Sequence, residues 1–296
     1  MMRLTVGLVL TLHLGFLAAS DEPSPRDPLQ DGVIGETVSV VHNGARRVTR
    51  TAEYQQHGNR VLKAIRDPDG KMVGEETYEP IADSFRLITS TSLLDDGTRT
   101  SSTTLHDLLG RPVRLTVSSL YPDGTRPDDA LNTYKYEYQP DGRIALGPLF
   151  GHQFTYTYET EGDVEVITAV ATRVKYFVTR QTRNSDGKLK EKTVTERYFS
   201  QSWDYSRVST EFIYDSNGRL DGKRITSRLT AFRRDRQATA ESRGEQAVNE
   251  HLHYIYGVAG RLDAIEREVA WSTRYVDGDG DSSGAYTEIT TFAYKP

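Results

Sequence analysis

The sequence has 296 residues, a formal net charge of −5 and no cysteine. That length allows one large β domain or two ordinary ones. The missing cysteine excludes disulfide staples and a lipid-modified N-terminal cysteine, and the acidic balance with scattered basic residues excludes a nucleic-acid-binding face.

In chain order, Arg3 is followed by an apolar run from Leu4 to Leu17 and then by Ala18-Ala19-Ser20. This is the outline of a secretory signal peptide over residues 1–20. The alternative is a membrane anchor, but the run is shorter than the roughly 20 residues a spanning helix needs. Residues 21–32 carry three prolines and no periodicity, and are expected to form a flexible leader. Residues 33–296 are expected to form a single antiparallel β repeat domain. A hydrophobic content of 36% suits a sheet with one buried and one wet face, where only alternate residues need be apolar.

Within that domain one unit recurs. Its strongest copy is Phe212-Ile213-Tyr214-Asp215-Ser216-Asn217-Gly218-Arg219-Leu220. Two more run from Tyr136 through Tyr138, Gly142 and Arg143 to Ile144, and from Tyr254 through Tyr256, Gly260 and Arg261 to Leu262. Weaker copies surround Tyr54 to Arg60, His106 to Arg111 and Tyr158 to Gly162. Tyrosines at i and i+2 share one strand face. The residues after them are turn formers, glycine supplies a positive φ, and an apolar residue opens the return strand, which together predict β-hairpins. Asp67-Pro68-Asp69-Gly70, Asp95-Asp96-Gly97, Pro122-Asp123-Gly124 and Ser185-Asp186-Gly187 predict further turns. Alternation from Val164 to Val178 predicts one unusually long strand. The polar stretch Arg233 to Val248 is expected to be the tip of a long hairpin turning near Ser242-Arg243-Gly244, with a polar helix as the alternative.

The Tyr-x-Tyr-Asp-x-x-Gly-Arg-Leu unit resembles the YD repeat of the rearrangement-hotspot (Rhs) and toxin-shell proteins. Residues 212–220 match it closely, and 136–144 and 254–262 match it well. The resemblance implies antiparallel hairpins joined edge to edge. Large members enclose a toxin domain; this chain is too short to close such a shell. Asp67-Pro68-Asp69-Gly70 has the letters of the family's self-cleavage motif but lies near the N-terminus, so it is taken as a turn. The fold expected is all-β: an extended, twisted antiparallel sheet of successive long hairpins, with few or no helices after the signal peptide.

Candidate sites are few. Residues 277–288 place Asp277, Asp279, Asp281 and Glu288 at positions 1, 3, 5 and 12 of a calcium loop, although Ser282 stands where that loop has glycine. The alternative is a solvated turn between strands. Gly280-Asp281-Ser282-Ser283-Gly284 satisfies the G-x-S-x-G pattern of hydrolases, but neither a helix nor a histidine follows it. His251-Leu252-His253 puts two imidazoles on one strand face. Tyr134, Tyr136, Tyr138, Tyr156 and Tyr158 form stripes that would stack on sugars if exposed and form core if buried. Tyr214, Asp215, Gly218, Arg219, Tyr138, Gly142, Arg143, Tyr256, Gly260 and Arg261 are expected to be structural residues of the repeat. Paired acids such as Asp128-Asp129 fit an ordinary loop.

These observations lead to a non-catalytic, exported binding or scaffold module, periplasmic or at the cell surface. Its expected partner is a cell-envelope glycan or protein, and its cofactor none or calcium. No nucleic acid and no transmembrane helix are expected, and self-association through sheet edges is a corollary. The alternatives are an outer-membrane β-barrel, a fragment of an Rhs-like shell, and a hydrolase. The barrel needs strands with an apolar outer face, which Lys188 to Ser200 lacks at either parity.

Overall fold

A computed structural model describes residues 27–81, 84–126, 131–149, 152–171, 175–198, 204–233, 243–257, 260–275 and 281–295. The expected signal peptide and residues 21–26 of the leader lie outside them. Nineteen strands follow one another: β1 (Val33–His42), β2 (Ala45–His57), β3 (Arg60–Arg66), β4 (Met72–Ile81), β5 (Ser84–Leu93), β6 (Arg99–His106), β7 (Pro112–Leu120), β8 (Leu131–Lys135), β9 (Glu137–Tyr138), β10 (Ile144–Leu149), β11 (His152–Glu161), β12 (Val164–Val170), β13 (Lys175–Arg183), β14 (Leu189–Tyr198), β15 (Asp204–Tyr214), β16 (Leu220–Arg233), β17 (Arg243–Tyr256), β18 (Leu262–Tyr275) and β19 (Ser282–Tyr294). No α-helix occurs among the described residues, as the sequence led us to expect.

The turns explain why these residues form hairpins. In the strongest repeat, Asp215 N–H donates to the Arg219 carbonyl at 2.9 Å and Gly218 N–H donates back to the Asp215 carbonyl at 2.9 Å. Gly218 has φ +73°, the left-handed conformation that completes a three-residue type I turn with a glycine bulge. One Asp215 oxygen accepts from the backbone N–H groups of Asn217 and Arg219. Backbone hydrogen bonds of the same pattern close 67–71, 94–98, 107–111, 121–125, 139–143, 184–188 and 257–261. The ladder register shifts next to several of them, as between Ile213 and Tyr214 or Thr182 and Arg183.

The strands fall into two compact units. Unit 1 holds Glu137–Glu250 and Ala270–Gly284. Here β9 to β16 pair antiparallel in chain order. The core lies on one face: Leu149, Phe154, Tyr156, Ile167, Ala169, Ala171, Phe177 and Val194 form one buried cluster. Phe154 and Phe177 meet edge to face with centroids 5.5 Å apart. The opposite face changes along the sheet: on β12 and β13 it carries Val166, 6% exposed, with half-buried Val164, Val170, Tyr176 and Val178, whereas on β15 and β16 Arg207 and Arg228 stand directly opposite each other, both exposed.

The alternation from Val164 to Val178 does not make one long strand. β12 ends at Val170 and β13 starts at Lys175, and the two pair as neighbours, Val170 against Tyr176. The period-2 pattern runs on because residues of one parity share a face in both strands, which hides the break from a pattern search; the core takes the other parity, Ile167, Ala169 and Phe177, so the valine stripe lies on the opposite face. Arg233 to Val248 contains the end of β16 and the start of β17; the expected turn near Ser242 lies mostly outside the described residues, and Gly244 is already in strand.

Unit 2 holds Ser24–Tyr136, His251–Val269 and Ala285–Pro296. β1 to β8 pair antiparallel in chain order. The first strand also pairs with the last: Val33 faces Tyr294, and the ladder runs to Val41 against Thr287. This corrects the expectation of an extended open sheet. β1 has a hydrogen-bonded partner on each side, so the first strand is not a free edge.

Candidate functional site

The repeat residues build a contact that the sequence pattern did not reveal. Tyr214 O–H donates to the Leu189 carbonyl at 2.8 Å, and Lys188 Nζ sits 5.5 Å from the centre of the Tyr214 ring. Tyr158 O–H donates to the Ile144 carbonyl at 3.1 Å, with the Arg143 guanidinium 5.0 Å from its ring. Tyr294 O–H donates to the Leu262 carbonyl, with the Arg261 guanidinium 4.6 Å from its ring. In each case the cation immediately precedes the residue whose carbonyl is bonded, and both follow a turn glycine. Tyr214 and Tyr158, each ahead of a turn, and Tyr294 at the end of β19 therefore clasp the exit of an earlier turn, combining a part-buried hydroxyl's hydrogen bond with a cation–π contact. A Cβ on Gly218 would lie 2.2 Å from Lys188 Nζ, the end of a flexible side chain that can shift aside.

The other expected structural residues lie at or beside these turns. Arg219 pairs with its own Asp215 at 3.0 Å, and Asp215 lies below the usual carboxylate range, chiefly through the Arg219 backbone N–H. Arg143 also reaches Asp141 and Glu165, each at 3.5 Å. Gly142 and Gly260 take φ +89° and +74°. Tyr138 faces Ile144 across the β9–β10 ladder, and Tyr256 ends β17 half-buried. The signal was legible in the recurrence of Gly-Arg/Lys-Leu/Ile; what it bonded to was not.

The tyrosine stripes are not an exposed stacking platform. Tyr156 is 6% exposed and belongs to the apolar core. Tyr158 is covered by Arg143; burial raises the pKa of its phenol even though Arg143 opposes the shift. Tyr134, Tyr136 and Tyr138 are half-buried, and burial likewise raises the Tyr136 phenol.

The calcium loop does not assemble from its described members. Asp277 and Asp279 lie outside the described residues. Asp281 accepts a hydrogen bond from Tyr275 N–H at 2.7 Å. β19 starts at Ser282, so extended backbone carries Glu288 about 20 Å away at roughly 3.3 Å per residue. There Glu288 sits 3.8 Å from Arg267. Ser282 is exposed at the start of the same strand, without the strand–elbow–helix geometry of a hydrolase nucleophile. Asp128-Asp129 lies outside the described residues.

A charged network on the core face of unit 2 was missed by sequence reasoning. Lys63 Nζ is 2.8 Å from Glu36 and 3.7 Å from Glu76. Tyr54 O–H donates to Glu36 at 2.9 Å, Tyr78 O–H donates to Glu76, and Arg50 stands 3.8 Å from Glu36. Glu36 is 8% exposed. Burial works against its charge, but Lys63, Tyr54 and Arg50 together hold its pKa below the usual range. Burial first, and the neighbouring carboxylates second, drive the Tyr54 and Tyr78 phenols far upward. The network is internally satisfied: each carboxylate has a cation and a phenol. Its residues come from β1 to β4, four separate segments, so no local motif announces it. His251 and His253 stand on one face of β17 with ring centroids 3.9 Å apart.

No helix among the described residues is long and apolar enough to cross a membrane. No protein-family model matches the chain, and no curated protein does. Among solved structures, a porin-like protein from Bacteroides vulgatus aligns over 89% of this chain and 99% of its own, at 12% identity and a TM-score of 0.33. A porin-like protein from Bacteroides uniformis aligns over 89% and 98%, at 10% identity and a TM-score of 0.29. Similarity this distant transfers neither fold nor function to the chain.

Proposed function

We propose that this chain is a non-catalytic β-barrel protein of the cell envelope, exported and acting as a scaffold or binding module through its wet faces and loops. The observation that carries the barrel is the ladder between the first strand and the last, Val33–Tyr294 to Val41–Thr287, while β2 takes the other side of β1. A meander whose ends pair has the connectivity of an up-and-down barrel, which removes edges by closure. It supports the barrel alternative over the open binding sheet expected from the sequence. The Tyr-Asp-Gly-Arg units serve as scaffold in this reading, since their side chains are spent on clasping turns. Replacing Thr37 and Thr291, which face each other across β1 and β19, with cysteines tests closure in a chain that has no other thiol. Oxidation is expected to join the first and last strands in the folded protein. Failure to form that bond in a folded double variant sinks the barrel.

A second reading places the barrel in the outer membrane. Strand length permits it, since β11, β13 and β14 have 10, 9 and 10 residues and spanning strands need about 9–11. The charged stretch of β15 and β16 argues for water instead, against the valine stripe of β12 and β13. Arg207, Glu211, Arg224 and Arg228 on β15 and β16 are all exposed, and a basic residue at the membrane midplane costs roughly 2–4 kcal/mol. Fractionation separates the placements. A membrane barrel stays in the pellet through alkaline carbonate and needs detergent, whereas a water-facing barrel is released in soluble form.

A further inference from the structure

We propose that His251, His253 and Glu268 form a surface site for a divalent transition-metal ion of the zinc class. His251 and His253 are alternate residues of β17, so both imidazoles leave the same face. Glu250 and Tyr254, at 4% and 7% exposure, occupy the opposite face, which commits the imidazoles to the watery side. Glu268 comes from β18, beside the buried Val269. His251 Nδ1 is 4.0 Å from Glu268 Oε2. One ligand atom from each of the three residues lies within 4.8 Å of the other two, the one such trio of His, Cys, Asp or Glu among the described residues.

The chemistry selects the ion. Zinc bonds nitrogen and carboxylate oxygen at about 2.0–2.2 Å, which sets ligand atoms roughly 3.4 Å apart in a tetrahedron. The trio's ligand atoms, within 4.8 Å of one another on neighbouring strands, stand close to that spacing. Two imidazoles and one carboxylate leave a fourth position to water, the pattern of an open site. Calcium and magnesium prefer all-oxygen sets, so a site two-thirds imidazole discriminates against them. Glu268 is 64% exposed, so as a plain ion pair with His251 it would contribute little; as a third ligand it ties β18 to β17. The site lies wholly within unit 2 and stands whether or not the sheet closes.

The test uses the full exported chain stripped with EDTA and titrated with zinc chloride, by calorimetry and by thermal unfolding. The expected result is one zinc per chain at micromolar concentration, a raised unfolding midpoint through binding to the folded state, and no response to calcium or magnesium. His253→Ala is expected to weaken binding by about tenfold or more, equal to about 1.4 kcal/mol, and Glu268→Gln by less. His57→Ala, on an exposed position of β2, is expected to bind like the parent. Zinc binding that survives His251→Ala/His253→Ala, or no binding by the parent, overturns the site. If the double variant does not fold, the imidazole proton signals of His251 and His253 in the parent decide the matter: both must shift on adding zinc, and their indifference overturns the proposal.

Discussion

The two units solve the same packing problem with different mixtures of apolar and charged groups. In unit 1 the core face is centred on Phe154, Phe177 and Val194, each at most 5% exposed, and continues into buried Thr179, Gln181 and Lys192. In unit 2 the core face of β1 to β4 carries Glu36, Tyr54, Lys63, Glu76 and Tyr78 in a paired network. Both rest on the same three-residue turns, so the turn chemistry specifies hairpins without specifying what they bury. The first interior is stabilised chiefly by area removed from water; the second adds, to buried Val38, Ala52 and Val61, complementary charges that stabilise only as a complete set.

Substitutions can break this contrast at several strengths. The largest effect is expected from Phe177→Ala, which removes a side chain 1% exposed and should cost about 3–5 kcal/mol in urea unfolding. Lys63→Met should follow at about 3 kcal/mol, because it leaves Glu36 buried without its closest cation. Adding Glu36→Gln should recover much of that loss, which no apolar core substitution would do. A double-mutant cycle in urea measures the recovery.

Acid sharpens the contrast further. The Glu36 pKa is lowered in the folded state, so its contribution is fully present above the unfolded value of about 4.5 and is lost as pH falls through the folded one. Amide exchange in β1 to β4 should therefore accelerate below about pH 4.5, ahead of β11 to β14. In Glu36→Gln that difference should shrink.

Smaller effects test the turns. Gly218→Ala must hold φ +73° and crowd Lys188, for an expected cost of about 1–2 kcal/mol. Tyr214→Phe keeps the ring and loses only the bond to the Leu189 carbonyl, at about 1 kcal/mol. Both follow from thermal midpoints. The smallest effect belongs to the wet face. Arg180→Ala removes an ion pair with Glu161 in which both partners are 52% exposed, and should change stability by less than about 0.5 kcal/mol.

Much of the architecture was legible because it is local. Asp215, Gly218 and Arg219 form their turn within five residues, and every hydrogen bond that closes it lies between them. Alternation in the strands was legible too, but its continuity misled between Val170 and Lys175, where β12 ends and β13 begins with the parity unchanged. The acids after Asp277 matched a calcium loop letter by letter, yet strand β19 draws Glu288 away from Asp281. A spacing motif assumes a compact loop, and the backbone here is extended.

The sequence by itself determined an all-β chain of hairpins, since glycines at positive φ and period-2 alternation act over a few residues. Only the tertiary structure decided which distant residues meet: Val33 with Tyr294, Tyr214 with Leu189, Lys63 with Glu36, and His251 with Glu268. Each of those contacts depends on the summed register of the strands involved. A shift of one residue in any ladder turns every side chain to the opposite face, and no local pattern carries that sum.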